Sequence, residues 1–275
     1  LIDLHTHSNR SDGTLTPTEL VERAASAGVG VLALTDHDTT AGLDEAQRAA
    51  VAAGVRLVPG VELSASWRAQ AIHVLGLWID PGAPHWRQRL DSQEQRRRLR
   101  MRKICARLEA LGLPGGELLA AVEAQPGVPT RTHLAAELLA GGHVNRTDAA
   151  FRRYLGRGQP AHVAAEWPPL AEIVLWIRES GGIACLAHPA RYSLSAGARH
   201  QLLAEFTAAG GSALEVITGG NGAHHVEAST MLAVAFGLTA SAGSDFHGPQ
   251  QTWNPLGRLA TLSDRVVPVW RAYGL

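Results

Sequence analysis

The sequence predicts an α/β fold: a parallel sheet or barrel interrupted by a mainly helical insertion. Three observations carry this. Short apolar runs alternate with amphipathic segments towards both ends of the chain. That alternation stops between about Pro84 and Pro160, where only helical patterning is found. Histidines and acids recur where the apolar runs end.

"LIDLH" reads as a short buried strand. "LTPTELVERAASAG" carries helix punctuation, with Thr16 as N-cap, Pro17 in the first turn, Glu19 closing a capping box and Gly28 as the stop. "VGVLALT" is a second strand ending at "DHDTT". A helix from about Thr40 to Ala53 follows, stopped by Gly54. "RLVPGVELSA" and "AIHVLGLWI" add strands. In the insertion, "HWRQRLDSQEQRRRLRMRKICARLEALG" is one long basic helix whose apolar stripe is Met101, Ile104, Cys105, Leu108 and Leu111. "TRTHLAAELLAGG" and "TDAAFRRYLG" are shorter helices. Alternation resumes with helix "PPLAEIVLWIRESG", strand "GIACLAHP", helix "AGARHQLLAEFTAAG", strand "SALEVITGG", helix "AHHVEASTMLAVAFG" and strand "LTASAGSDFHG". A short strand and closing helix are expected at the end. The organisation is therefore a barrel domain from 1–83 and 161–275, and a helical cap from 84–160.

With 45% hydrophobic residues, the 275-residue chain can bury a sizeable core. No apolar stretch of about 18 residues occurs, so no membrane partner is expected. The first residues carry acid and histidine rather than the apolar centre of an export signal. The two cysteines, Cys105 and Cys185, form no CxxC pattern and read as reduced core thiols. A cytoplasmic location is expected. Net charge is zero, which argues against long nucleic acid as a partner. The balance is uneven, because residues 87–107 hold nine Lys and Arg against two acids.

The strand ends carry the chemistry. The first ends in His5 and His7, the second in Asp36, His37 and Asp38. The third leads into Glu62, the fourth contains His73, and later strands end at His188 and at Asp245 with His247. In parallel (β/α) architectures these ends share one face, where active sites form. Imidazole with carboxylate suits Mn, Fe or Zn. A carboxylate such as Glu62 can bridge two cations. Cations about 3.5–4 Å apart can hold a hydroxide as nucleophile and bind phosphate oxygens, so no serine or cysteine nucleophile is needed. Asp3, Asp36 and Asp38 are expected to orient histidines.

The ordered set "DLHTHS", "LTDHDT", "GVELSA", "IHVLG", "LAHP" and "GSDFHG" resembles the polymerase and histidinol phosphatase (PHP) family of metal phosphoesterases, over roughly residues 1–80 and 165–250. The resemblance implies a distorted (β/α)7 barrel with two or three divalent metal ions, Mn2+ foremost and Fe2+ or Zn2+ as alternatives. It implies a first metal on His5, His7, Glu62 and Asp245, and a second on Glu62, His73 and His188. It implies a third on Asp12, His37 and His247. Asp12 stands where many members carry histidine, so the third site is weaker or prefers a harder metal. The insertion, with "RTHLA" and "YLGRGQPAHV", is similar to the nucleotide phosphatase branch. That branch acts on 3',5'-nucleoside bisphosphates, adenosine monophosphate or the 5' ends of short RNA.

Substrate-binding candidates are cations of the insertion, since guanidinium forks match phosphate oxygens. Arg131 opens a predicted helix after "GVPT", and His133 follows. Arg98 and Arg102 flank the apolar stripe of the long helix, with Lys103 further round. Arg157 lies in the "GRGQP" loop and Arg191 follows His188. Asn221, His224 and His225 are candidates for base or ribose contact. The seven dispersed tryptophans read as packing. The function expected is a metal-dependent phosphomonoesterase, foremost on a 3',5'-nucleoside bisphosphate. Trimming of short RNA or DNA from the 5' end and a histidinol-phosphate-type activity are the enzyme alternatives. A metal-binding regulatory domain is the non-enzymatic one.

Overall fold

A computed structural model describes residues 1–275. Strands β1 (Ile2–Asp3), β2 (Val31–Leu34), β3 (Arg56–Trp67), β4 (Gln70–Leu77), β5 (Ile183–Leu186), β6 (Ala213–Thr218) and β7 (Thr239–Gly243) form one sheet in that spatial order. The Leu4 N–H donates to the Ala242 carbonyl at 3.0 Å, and Thr6 bridges to Phe246. The last strand thus returns to the first, giving a nearly closed seven-stranded barrel.

The barrel is not parallel throughout. β4 runs antiparallel to both neighbours, whereas β1–β2–β3 and β5–β6–β7 are parallel. Only Arg68 and Ala69 separate β3 from β4, with Arg68 at φ 53°. Two residues make a hairpin and are far too few for a crossover.

Helix α1 (Pro17–Ser26) starts on the expected capping box: the Glu19 N–H donates to Thr16 Oγ1 at 3.2 Å, and the Thr16 N–H to Glu19 at 2.8 Å. Helix α2 (Leu43–Ala53) begins three residues later than Thr40 and ends at Gly54, whose φ of 67° suits a residue without a Cβ. Helices α3 (Trp86–Ala110), α4 (Gly115–Glu123), α5 (Arg131–Ala140) and α6 (Thr147–Ala150) form the insertion, followed by one π-helical turn, Phe151–Leu155. Helices α7 (Leu170–Glu179), α8 (Ala196–Ala208) and α9 (Ala223–Phe236) complete the outer layer.

Three apolar clusters form, two of them from the strand alternation. Leu32, Leu63, Val74, Leu214 and Val216 face outwards and meet the helices. Leu4, Ala33, Val58, Leu75, Cys185 and Ala213 fill the lumen. The insertion buries a cluster of its own, including Met101, Ile104, Cys105, Leu108, Leu134 and Leu138. Leu111 is not part of it; it lies at the end of α3 and is 46% exposed. Both cysteines are buried and free. The expected terminal strand and helix are absent. In their place are a single bridge from Ala240 to Pro268 and a 3-10 turn, Val269–Tyr273, whose Val269 closes the lumen. No helix is long and apolar enough to cross a membrane.

Candidate metal centre

Because strand ends converge, residues up to 241 positions apart meet. His5 and His7 follow β1, His37 follows β2, and Glu62 and His73 project from the paired β3 and β4. His188 follows β5, and Asp245 and His247 follow β7. Asp12 comes from the loop after β1 and faces His37 at 3.7 Å and His247 at 3.3 Å. Asp38, His188 and Asp245 hold left-handed backbone, with φ of 51°, 30° and 55°. Such conformations are costly without glycine and persist where surrounding contacts fix them.

The tightest group is His5 Nε2, His7 Nε2, Glu62 Oε2 and Asp245 Oδ1. Its separations run from 3.1 to 3.3 Å. A tetrahedral cation with bonds of 2.0–2.1 Å would need ligand atoms about 3.3–3.4 Å apart. The donors therefore fit one ion. A second group joins His37, Glu62 and His73. There Glu62 Oε1 lies 2.8 Å from His73 Nδ1 and 2.9 Å from His188 Nε2. The third unites His7, Asp12, His37 and His247. His37 Nδ1 is 3.1 Å from Glu62 Oε2 yet makes no hydrogen bond, and Asp12 Oδ1 is also buried without a partner. Donors that sit close while misaligned for one another fit ligands aimed at a common centre. All nine expected ligands thus lie in one cluster.

The electrostatics agree with that fit. Burial would neutralise Glu62, Asp12 and Asp245, yet the surrounding imidazoles hold all three well below the usual carboxylate range. Burial also disfavours charge on His7, but Asp245 and Glu62 raise it to about 10. At His37 burial prevails over Glu62 and Asp12, and the ring is held well below its ordinary value. The carboxylates thus draw positive charge to this spot, which a divalent cation would supply.

Around the cluster, three aspartates accept hydrogen bonds from protein donors, although Asp3 does so through Oδ1 alone. Asp3 accepts the Ser244 N–H at 2.8 Å. Asp36 accepts the Ser8 N–H and the Ser8 and Ser11 hydroxyls at 2.6–2.7 Å. Asp38 accepts the Ser64 N–H, Gln93 and Arg97. The fourth supporting acid, Glu215 on β6, was not singled out from sequence. It accepts His5 Nδ1 at 2.8 Å and the His188 N–H at 2.5 Å.

A cleft of about 260 Å³ opens above the cluster. Its far wall is built by Arg97, Arg100, Arg131, Phe151 and Trp167, and Arg191 stands at its edge. Arg97 lies over Trp167 and Arg131 over Phe151, with guanidinium carbons 5.2 and 5.7 Å from the ring centres. Arg100 and Arg131 donate to the Val163 and Leu155 carbonyls and pair with no carboxylate. Burial, with Arg131 and Arg97 beside it, works against charge on Arg100; burial and Arg97 do the same to Arg131. Arg191 pairs with Asp245.

The other expected contacts lie elsewhere. Arg98 pairs with Glu94, Arg102 with Glu123 and Lys103 with Glu166, on the outer side of α3. The apolar stripe continues towards the helix start through Arg97 and Gln93, so the cleft-facing arginines are Arg97 and Arg100. His133 Nδ1 accepts the Thr130 N–H and caps α5. Arg157 and His224 are exposed and away from the cleft wall; the partly buried His225, its ring tilted against His224, and Asn221 do not line the cleft either. Trp167 lines the cleft rather than packing only, and Trp253 is 64% exposed.

Comparison with known proteins agrees with this arrangement. The PHP domain model matches residues 3–116. The chain is 42% identical to a 5'-3' exoribonuclease of Haemophilus influenzae over 98% of each chain. It is 40% identical to a 3',5'-nucleoside bisphosphate phosphatase of Chromobacterium violaceum, over 98% of this chain and 95% of that one. The solved structure of an amidohydrolase from Chromobacterium violaceum aligns with a TM-score of 0.93 at 39% identity, covering 99% and 95% of the two chains. The fold and site define a metal-dependent hydrolase of phosphoester bonds. The chain belongs to the PHP family.

Proposed function

We propose that the protein removes phosphate from small nucleotides and that its preferred substrate is a 3',5'-nucleoside bisphosphate. The observation that carries this is the pair Arg100 and Arg131, half-buried cations without a carboxylate, facing the metal-type cluster across one cleft. A charge partly withdrawn from water and left without a partner is costly. A second phosphate would relieve that cost.

His5, His7, Glu62 and Asp245, with His73, His188, Asp12, His37 and His247, would hold the divalent ions, of which Mn2+ is the proposed physiological one. When bound, such ions polarise phosphoryl oxygens and make water acidic enough to attack at neutral pH. The chain's own residues do the rest. Glu62 places both carboxylate oxygens between five imidazoles and fixes their spacing. Arg191, anchored by Asp245, offers its guanidinium to the equatorial oxygens of the reacting phosphate. Arg100 and Arg131 hold the distal phosphate, and Phe151 and Trp167 supply apolar faces for the nucleoside between them.

Trimming of short RNA from the 5' end is the second reading. The 42% identity to an exoribonuclease favours it. The two part on turnover. With Mn2+ present, phosphate release is measured from a 3',5'-bisphosphate and a 5'-monophosphate, and nucleoside monophosphate release from a 5'-phosphorylated pentanucleotide. The bisphosphate should show the highest kcat/KM; a preference for the pentanucleotide would overturn the proposal.

A further inference from the structure

We infer that Glu215 is a positioning residue that fixes which nitrogen of His5 is free to bind metal, and that it locks His188 to the same centre. This rests on reading His5 and His188 as ligands. Glu215 lies on β6, where Ala213 faces the lumen and Leu214 and Val216 face the helices. Its carboxylate is fully buried, between the apolar lumen and the cluster of imidazoles. A bulge in the pairing of β6 with β7 follows immediately, between Glu215 and Ile217. Bulges re-aim side chains near active sites.

The two oxygens have separate tasks. Oε1 lies 2.8 Å from His5 Nδ1 and Oε2 lies 2.5 Å from the His188 N–H. A carboxylate only accepts, so the proton of neutral His5 must sit on Nδ1. Its lone pair is then on Nε2, the atom 3.1–3.3 Å from His7, Glu62 and Asp245. The second oxygen holds the main chain of His188 in its left-handed conformation, at φ 30° and ψ 58°. One side chain thereby ties the end of β1 to the end of β5. The neighbouring strand leaves room for it: a Cβ at Gly243 would stand 2.2 Å from His5 Cβ and 3.0 Å from Glu215 Oε1.

This arrangement makes Glu215→Gln informative. Glutamine has the same shape but one end is an NH2 donor. The His188 N–H cannot change its role, so the amide oxygen must turn to it. The NH2 then faces His5 Nδ1, which must become the acceptor. The ring proton moves to Nε2, where it blocks the lone pair aimed at the metal. The variant should therefore keep its fold and lose affinity for metal, by about 10–100-fold.

The test uses the full chain, stripped of metal with a chelator and titrated with Mn2+ alone in a calorimeter. Long-range 1H–15N spectra of the histidine-labelled apoprotein, recorded at a pH at which the His5 ring is neutral, report its tautomer. Wild type should show protonated Nδ1 and Glu215→Gln protonated Nε2, with weaker Mn2+ binding and an unchanged circular dichroism spectrum. Glu215→Asp keeps two accepting oxygens and should bind Mn2+ more tightly than the glutamine variant. Equal Mn2+ affinity in wild type and Glu215→Gln overturns the inference. So does a protonated Nε2 in wild type, a result that needs no variant to fold. If His5 is not a ligand at all, His5→Ala will bind Mn2+ as tightly as wild type, which separates the two failures.

Discussion

Replacing Arg97 by methionine should destabilise the protein by about 3 kcal/mol, because it strips a buried anion of its cation. Arg97 Nε donates to Asp38 Oδ2 at 2.6 Å and Nη2 to Ser64 Oγ at 3.0 Å. The arginine side chain is 8% exposed and the aspartate 0%. Breaking such a pair from one side costs about 3–5 kcal/mol, most of it the uncompensated charge. Asp38 would keep the Ser64 N–H at 2.7 Å and Gln93 at 3.1 Å, which places the cost near the lower end. For a chain of this size each kcal/mol moves Tm by about 2–4 °C, so a fall of about 6–12 °C is expected by calorimetry. Adding Asp38→Asn removes the orphaned charge and should recover about half of that loss. Lysine at 97 keeps charge without the fork and should fall between. A methionine variant melting within about 2 °C of wild type, or a double variant no more stable than the single, would refute the reasoning. The contact also joins the insertion helix α3 to the strand ends, so the same variant should become more sensitive to proteolysis between residues 84 and 160.

Other predictions follow from the same contacts. His7→Ala should abolish phosphate release while leaving circular dichroism native, because three neighbouring donors lose their shared partner; chelation of wild type should do the same, and Mn2+ should restore only the wild type. Arg131→Ala should raise KM for a bisphosphate with kcat retained. One charge-assisted hydrogen bond of about 1.5–3 kcal/mol corresponds to about 10–150-fold, and an unaltered KM would remove Arg131 from the substrate's path. Burial raises Asp3 from 3.8 to about 6, against its bonds to Ser244 and His5. Between those values the folded chain keeps a proton that the unfolded chain releases. The protonated fold is thus favoured below about pH 4, and this contribution fades as pH rises to 6, by roughly 3 kcal/mol. Asp3→Asn should gain stability relative to wild type over that interval in denaturant titrations; parallel stability curves would count against it.

Most of the candidate metal cluster is legible because His5, His7, His37, His188, Asp245 and His247 follow the ends of apolar runs, whereas Glu62 and His73 lie within strands and Asp12 in a loop. A buried strand that stops on histidine or aspartate announces a polar edge, and the alternating pattern brings such edges together. The expected parallel sheet does not describe β4, whose composition matches that of the parallel strands. Orientation is written instead in the link, where two residues permit only a hairpin. Glu215 escaped notice because an acid within "ALEVIT" reads as an outward position of a strand, and only closure of the barrel makes that position internal. On α3 the apolar stripe was read from Met101 onwards. Extending the same period backwards gives Arg97 and Gln93, polar residues on a buried face. Polar side chains on the continuation of an apolar stripe are the signal that distinguishes Arg97 from the solvent-side Arg98 and Arg102.

The placement of charge across the cleft bears on selectivity. On the barrel side, acids and imidazoles surround a point that draws positive charge. On the insertion side, Arg100 and Arg131 gather beside Arg97 against mutual repulsion, held by backbone carbonyls rather than carboxylates. Each wall is therefore unfavourable alone and is relieved by an opposite charge from outside. A monophosphate can relieve one wall; a ligand with two separated phosphates relieves both. Arg191, already neutralised by Asp245, adds little to the imbalance of either wall and gains nothing from the second phosphate. Discrimination between one phosphate and two should then reside in Arg100 and Arg131, while Arg191 should affect both substrates alike. Kinetics of Arg191→Ala and Arg131→Ala on the same pair of substrates separate these roles. Equal losses on both substrates for both variants would mean that the insertion holds the nucleoside, not its second phosphate.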